Sequence, residues 1–227
     1  MRSTDNNPTV PLQLIVKAIV AVSALLACTA ACAQNFPAKP VRLVVPFPGG
    51  SNIDIIARPV GQKLAELWGQ PVVVENRPGA GGTLGAALAA RAQPDGYTLL
   101  INSSAQAINP AIHASLPYDH ARDFSEVAAL VSQPYVLVVG PASGMKTLAD
   151  LLATARARPG QVNFGSAGTG SGTHFAAERF RLAAQIDVVH VPYKGGGEAN
   201  VDTMTGRIAY WFAPLGLALP QVQRSEE

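Results

Sequence analysis

The chain alternates between short apolar runs and longer stretches in which apolar residues recur at helical spacing. A short uninterrupted apolar run bounded by turn residues is typical of a strand buried on both faces of a parallel sheet. Runs of this kind predict strands at residues 41–46, 72–74, 97–102, 135–139, 162–164 and 188–191.

Helical patterns separate these strands. From Ile53 to Leu67 the apolar residues fall three or four positions apart, and Gly69 ends the pattern. Pro59 lies inside it and predicts a kink or a later start. Repeated strand, loop and helix predict an α/β fold with parallel sheets and crossover helices. Three further helices are predicted at residues 84–92, 148–155 and 173–184. Thr83 is predicted to cap the first, and Thr147 with Asp150 forms a capping box before the second.

The first residues differ from the rest of the chain. A polar start with Arg2, an apolar stretch over 12–27 and the small residues Ala31-Cys32-Ala33 predict a signal peptide cleaved after residue 33, and hence a periplasmic protein. Two alternatives stay open. A membrane anchor would need a longer apolar run than this one, and a lipoprotein would be anchored through Cys28 in the lipobox-like sequence LLAC.

Composition narrows the possible functions. Cleavage after residue 33 would remove both cysteines, and therefore any disulfide or cysteine metal site, from a chain of about 194 residues. That length suffices for one large or two small domains. The 15 basic and 14 acidic residues that remain give no clustered basic surface for nucleic acid. Any affinity for an anion must then come from local geometry.

Glycine-rich or small polar loops follow several of the predicted strands. In open parallel sheets, ligands bind beyond the carboxyl ends of the strands, where helix N-termini offer free N–H groups to an anion. For any single loop, a tight turn would explain the glycines. Their coincidence at several strand ends favours a carboxylate site without an arginine. The loops are 48–54, 76–83, 102–106, 165–174 and 193–198.

No enzymatic motif is complete. Leu84 stands where a dinucleotide fingerprint needs its third glycine, residues 140–147 fall one short of a phosphate loop, and Ser166 lacks the first glycine of G-x-S-x-G. The four histidines show no metal-ligand spacing. We therefore predict no catalytic residue, cofactor or metal. For Asp54 and His174 the sequence leaves two roles open: a structural role at the start of a helix, or contact with a ligand.

Six stretches carry a resemblance to a known family and cover residues 36 to about 219. They are FPAKPVRLVVPF, DIIARPVGQKL, GQPVVVENRPGAGG, PDGYTLL, NFGSAGTGSGTHFAAE and HVPYKGG. In this order and spacing, they resemble the Bug-type receptors of tripartite tricarboxylate transporters.

The resemblance implies a monomeric solute-binding receptor, not an enzyme, with an α/β two-domain periplasmic-binding-protein clamshell of the type II class. Such a receptor closes on a small carboxylate and delivers it to the membrane components of the transporter. A dicarboxylate, tricarboxylate, acidic amino acid or aromatic acid would all suit its loops. The implied domains are 34–134 and 135–227, with a hinge strand at 135–139.

Carried over residue by residue, the resemblance also implies a set of ligand-binding residues. The first domain would supply Pro48, Gly49, Gly50, Ser51, Asn52, Asp54, Ser103 and Ser104. The second would supply Ser166, Ala167, Gly168, Thr169, Thr173 and His174, with Tyr193 and Lys194 as additional candidates.

The chain departs from the family pattern in two places. Between Phe47 and Asp54 the glycine pair is displaced by one position, which weakens the case for the first loop. Relatives also continue beyond the point where this chain ends, so we expect a product truncated at its C-terminus, with exposed apolar surface and low stability. The alternatives are a nonfunctional remnant, a ligand sensor or, with least support, an enzyme acting on a small organic acid.

Overall fold

Three parallel strands form the first sheet. A computed structural model of the chain describes residues 36–225, of which those from Lys39 onward belong to one compact unit. The strands are β1 (Val41–Val45), β2 (Val72–Asn76) and β3 (Thr98–Leu100), in the order β2-β1-β3. Leu43 lies opposite Val74 on one side and Leu99 on the other. This sheet confirms the predicted parallel pairing.

Helix α1 (Asn52–Trp68) packs against this sheet. The Ser51 side chain accepts a hydrogen bond from the Asp54 N–H, which fixes the first turn. Gly69 closes the helix in the left-handed conformation, as predicted. Pro59 lies within the helix, so of the two predicted alternatives, a kink or a later start, the later start is wrong. The buried face of α1 joins Leu43 and Val45 in the first core cluster.

The remaining helices of this half are α2 (Thr83–Ala90) and α3 (Ala105–Ile112). The prediction that Thr83 caps α2 is wrong, because a short 3-10 turn over Ala80–Gly82 leads directly into the helix and Gly82 occupies the cap position. Helix α3 was not predicted. Its Pro110 and its polar Asn109, which is fully buried, obscure the apolar pattern. Residues 41–112 are called the first lobe below.

The second sheet is mixed. Its strands are β4 (Tyr135–Val139), β5 (Asn163–Ser166), β6 (Val189–Pro192) and β7 (Tyr210–Pro214), in the order β4-β7-β5-β6. β7 runs parallel to β5 but antiparallel to β4, so the expectation of a wholly parallel sheet fails here. β7 was not predicted, although Tyr210 and Trp211 are fully buried and anchor two of the core clusters.

Four helices accompany this sheet: α4 (Leu148–Ala157), α5 (Gly172–Ala184), α6 (Gly196–Met204) and α7 (Leu215–Ser225). The predicted capping box of Thr147 and Asp150 is confirmed at the start of α4. Helices α6 and α7 were not predicted, and the polar sequence from Gln221 onward continues α7 as far as Ser225. Residues 135–225 are called the second lobe below.

The described chain contains no helix that is both long and apolar enough to cross a bilayer. The predicted signal peptide and the lipobox at Cys28 lie outside the described residues. Within 36–225, the loops after β1, β2, β5 and β6 all approach one region between the two lobes.

Candidate functional site

A cleft of about 270 Å³ lies between the two lobes. Glycines and other small residues make up most of its wall, so backbone atoms as well as side chains face the interior. Its lining comes from the loops after four strands and consists of Phe47, Gly79, Ala80, Gly81, Gly82, Ala167, Gly168, Thr169, Pro192, Tyr193 and Lys194.

The first-lobe wall is a turn of unusual backbone conformation. Gly79, Ala80, Gly81 and Gly82 have φ values of 136°, 46°, 60° and 98° in succession. Successive residues in such turn conformations direct their N–H groups into a concavity that attracts anions. Within residues 36–225, the N–H groups of Ala80 and Gly81 donate to no acceptor. The turn then enters α2, whose N-terminus adds partial positive charge.

The second-lobe wall is the loop over 167–171, which enters α5 in the same way. The Thr173 hydroxyl accepts the Ala167 N–H at 2.9 Å, and the Ser166 hydroxyl accepts the Gly168 N–H at 3.1 Å. These bonds fix the loop from behind. The Thr169 N–H donates to no acceptor in the described part of the chain. Ser171 caps α5 by accepting the His174 N–H, so this wall also ends at a helix N-terminus.

The two walls touch at one point. A Cβ atom at Gly81 would collide with the carbonyl oxygen of Thr169 in the opposite lobe. Gly168 lies beside it, since a Cβ there would be 3.5 Å from both the N and the Cα of Gly81. Only glycine permits this approach, and it brings the two amide-rich loops face to face.

Lys194 supplies the cleft with a cation. Its side chain is exposed and makes no ion pair with a carboxylate among residues 36–225. The neighbouring Tyr193 is held differently, because its hydroxyl donates to Asp202 at 2.7 Å. Burial, followed by the hydrogen bond and charge of Asp202, raises the pKa of Tyr193 to about 12. Tyr193 therefore stays neutral and keeps its place in the wall.

Asp54 organises the loop after β1. Its carboxylate accepts the Gly50 N–H at 2.8 Å, both nitrogens of an Arg58 fork at 2.9 and 3.0 Å, and Asn76 Nδ2 at 2.9 Å. Burial alone would raise the pKa of Asp54, but the bonds from Arg58, Gly50 and Asn76 outweigh it and keep the pKa below its ordinary value. Because these partners occupy the carboxylate, the geometry favours the structural interpretation of Asp54 over contact with an amino group.

Two histidines that are distant in sequence stack behind the second-lobe loop. The rings of His174 and His190 lie 4.2 Å apart at 25°. His174 Nδ1 accepts the Gly170 N–H at 3.3 Å, and His190 Nε2 lies 2.7 Å from the Ser166 hydroxyl. The Ser166–His190 contact is no accessible nucleophile pair, since Ser166 is fully buried and its oxygen already accepts the Gly168 N–H.

The structure separates the predicted site residues into two groups. Ala167, Gly168 and Thr169 line the cleft, as do the additional candidates Tyr193 and Lys194. The others lie around it rather than in its lining: Pro48 (against Gly195 of the second lobe), Gly49, Gly50, Ser51, Asn52, Asp54, Ser103, Ser104 (near Tyr135 and Gly172), Ser166, Thr173 and His174.

The turn over 79–82 and Phe47 line the cleft but were missing from the predicted site residues. The sequence did contain an indication of this turn, because four small residues follow the carboxyl end of a strand within a loop already considered as a candidate. No group of three or more His, Cys, Asp or Glu side chains that could hold a metal occurs among residues 36–225.

Comparison with known proteins gives consistent similarities. A family model described as "Tripartite tricarboxylate transporter family receptor" matches residues 56–226. Protein BugT of Bordetella pertussis is 40% identical over 179 residues, which are 78% of this chain and 55% of BugT. The chain spans about half the length of this and similar curated relatives.

Solved structures share the fold. An R. palustris protein with adipate superimposes with a TM-score of 0.80 at 32% identity, covering 84% of this chain and 64% of that one. MatC from Rhodopseudomonas palustris with bound malate superimposes with a TM-score of 0.75 at 31% identity, covering 83% of this chain and 65% of MatC. The periplasmic binding protein BugD superimposes with a TM-score of 0.73 at 27% identity, covering 79% of this chain and 60% of BugD.

Proposed function

This chain belongs to the tripartite tricarboxylate transporter receptor family, and we propose that it captures a small carboxylate in the cleft between its two lobes. The members it resembles are solute-binding proteins rather than enzymes, and its α/β fold is theirs. The proposal extends to export into the periplasm and to delivery of the ligand, by a monomeric receptor, to membrane components of the transporter.

The observation that carries the proposal is the pair of facing amide loops. Ala80 and Gly81 on one side and Thr169 on the other offer N–H groups that have no acceptor among residues 36–225. Each loop leads into a helix N-terminus, which favours negative charge at the same place. A ligand with two carboxylates would satisfy both walls at once.

Lys194 supports the same assignment. A cation beside two amide-lined walls favours an anion over a neutral solute, and the Lys194 side chain makes no ion pair with a carboxylate of the described residues. The structural neighbours with adipate and with malate hold dicarboxylates. We therefore assign a dicarboxylate as the ligand class of this chain.

Of the predicted site residues, we propose that Ala167, Gly168, Thr169 and Lys194 contact the ligand directly, together with the turn over 79–82. The others would act by holding these loops. Ser166 and Thr173 accept loop N–H groups, and Asp54 holds the turn over 48–50.

Isothermal titration with malate, adipate and a neutral diol of matched length tests this function. We expect one of the dicarboxylates to bind and the diol not to bind. Lys194→Met should weaken dicarboxylate binding at least about tenfold, since a charge-assisted contact contributes more than about 1.4 kcal/mol. Its melting temperature should not change, because Lys194 makes no ion pair with any of the residues 36–225.

Lys146→Met is the matched control. Lys146 is also exposed, and it lies before α4, outside the cleft lining. Its substitution should leave the affinity unchanged. Absence of binding by every dicarboxylate tested, or equal effects of the two lysine substitutions, would refute the proposed function.

A further inference from the structure

The stacked His174–His190 pair lies behind the loop over 167–171 and is linked to that loop by hydrogen bonds. His174 reaches the loop through the hydrogen bond from the Gly170 N–H to its Nδ1. His190 reaches it through Ser166, whose hydroxyl also accepts the Gly168 N–H. The pair is thus linked to two glycines of one loop, to Gly170 directly and to Gly168 through Ser166, one on each side of Thr169.

The geometry requires His174 to be neutral. A ring nitrogen that accepts a backbone N–H carries no proton, and protonation would turn it into a second donor facing that N–H. A second constraint comes from the stack, since two rings with centroids 4.2 Å apart cannot both become cationic without strong repulsion. Phe164 covers the far face of His190 at 4.9 Å and leaves little room for the rings to separate.

Few charged groups around the two rings favour their protonated form. Glu178 on α5 is the carboxylate that acts on both rings, but Arg181 binds it at 2.9 Å. From the sheet, Tyr210 packs against Phe164 and remains neutral, because burial raises its pKa. Burial, followed by the charge of His174, lowers the pKa of His190 to about 4, and burial lowers that of His174 despite Glu178.

We propose that His174 and His190 are positioning residues that hold the loop over 167–171 in its binding form only while both rings are neutral, so that acidification releases the ligand. This inference rests on the proposed function of the cleft. It assigns His174 an indirect role, through Gly170, instead of direct contact with the ligand.

The direction of the pH effect follows from the lowered pKa values. Because both pKa values are lowered, both rings are neutral above the ordinary histidine pKa of 6.5, and His190 takes up its proton only as the pH falls to about 4. Affinity should therefore be full above about pH 6.5 and should fall as the pH decreases from there.

The test compares dicarboxylate affinity between about pH 7.5 and about pH 4 in the full chain and in variants. His174→Asn places an amide oxygen where Nδ1 stood, so it should keep the Gly170 hydrogen bond without titrating. We expect near-normal affinity at high pH and a loss on acidification about tenfold smaller than that of the unmodified protein. His190→Gln keeps a His174 that can still take up a proton, so it should still lose affinity on acidification, and His174→Ala should bind weakly at every pH.

Protonation of the ligand affects all variants equally, and the exposed His120→Gln controls for removal of any histidine. A second measurement needs no ligand: the Gly170 amide resonance should shift with pH in the unmodified protein and remain constant in His174→Asn. Equal pH dependence in both proteins, or a Gly170 resonance that ignores pH, would overturn the proposal. If that resonance titrates but no carboxylate binds, the proposed function fails and so does ligand release, while the histidine contact alone is upheld.

Discussion

At the scale of single residues, buried polar groups determine the shape of the loops. Asp54 is almost completely buried and accepts hydrogen bonds from Gly50, Arg58 and Asn76. A buried carboxylate is tolerated only when partners replace its lost hydration. Asp54 therefore ties the loop after β1, helix α1 and the end of β2 into one unit.

Asp54→Asn tests this role. The amide keeps the shape but removes the charge and turns one acceptor into a donor that faces other donors. We expect the free energy of unfolding to fall by about 2 kcal/mol, as for other hydrogen bonds to charged groups. Chemical denaturation measures the change.

Asp95→Asn is the control for Asp54→Asn. Asp95 also pairs with a cation, Lys39, but both side chains are exposed, so the stability should hardly change. Equal effects of the two substitutions would show that the network around Asp54 stabilises nothing.

At the scale of elements, the sequence predicted those with strong local patterns. β1, α1 and α4 follow from apolar periodicity and caps, because these features depend on neighbouring residues alone. β7 was missed, since its pairing with β4 and β5 joins segments remote in the chain. The His174–His190 stack was missed for the same reason: it requires α5 and β6 to be placed side by side.

Gly81→Ala tests the close approach of the two cleft loops. The new methyl group would collide with the Thr169 carbonyl, so the lobes could not meet as they do here. We expect at least about a tenfold loss of dicarboxylate affinity, equivalent to about 1.4 kcal/mol, in isothermal titration.

Gly144→Ala is its matched control. Gly144 has a similar φ of +68°, but a Cβ atom there would meet nothing within 4 Å. Both variants carry the cost of a left-handed alanine, about 1 kcal/mol, and only Gly81→Ala adds a collision to it. Only Gly81→Ala should lose affinity, and equal affinities would contradict the described contact.

At the scale of the whole molecule, two sheets of different construction present similar loops to one cleft. The first sheet is parallel and the second is mixed, yet on each side a glycine-rich turn leads from a strand into a helix N-terminus. The sequence predicted that such loops would bind an anion. It could not show that the turn over 79–82 opposes Thr169, because that depends on how the lobes meet.

The most direct test of the central claim is an amide chemical-shift titration of the ¹⁵N-labelled protein with a dicarboxylate. We expect the largest saturable shifts at Ala80, Gly81 and Thr169, three cleft amides that have no internal acceptor in the described structure. Saturable shifts confined to another surface, or no shifts at these three amides, would contradict it.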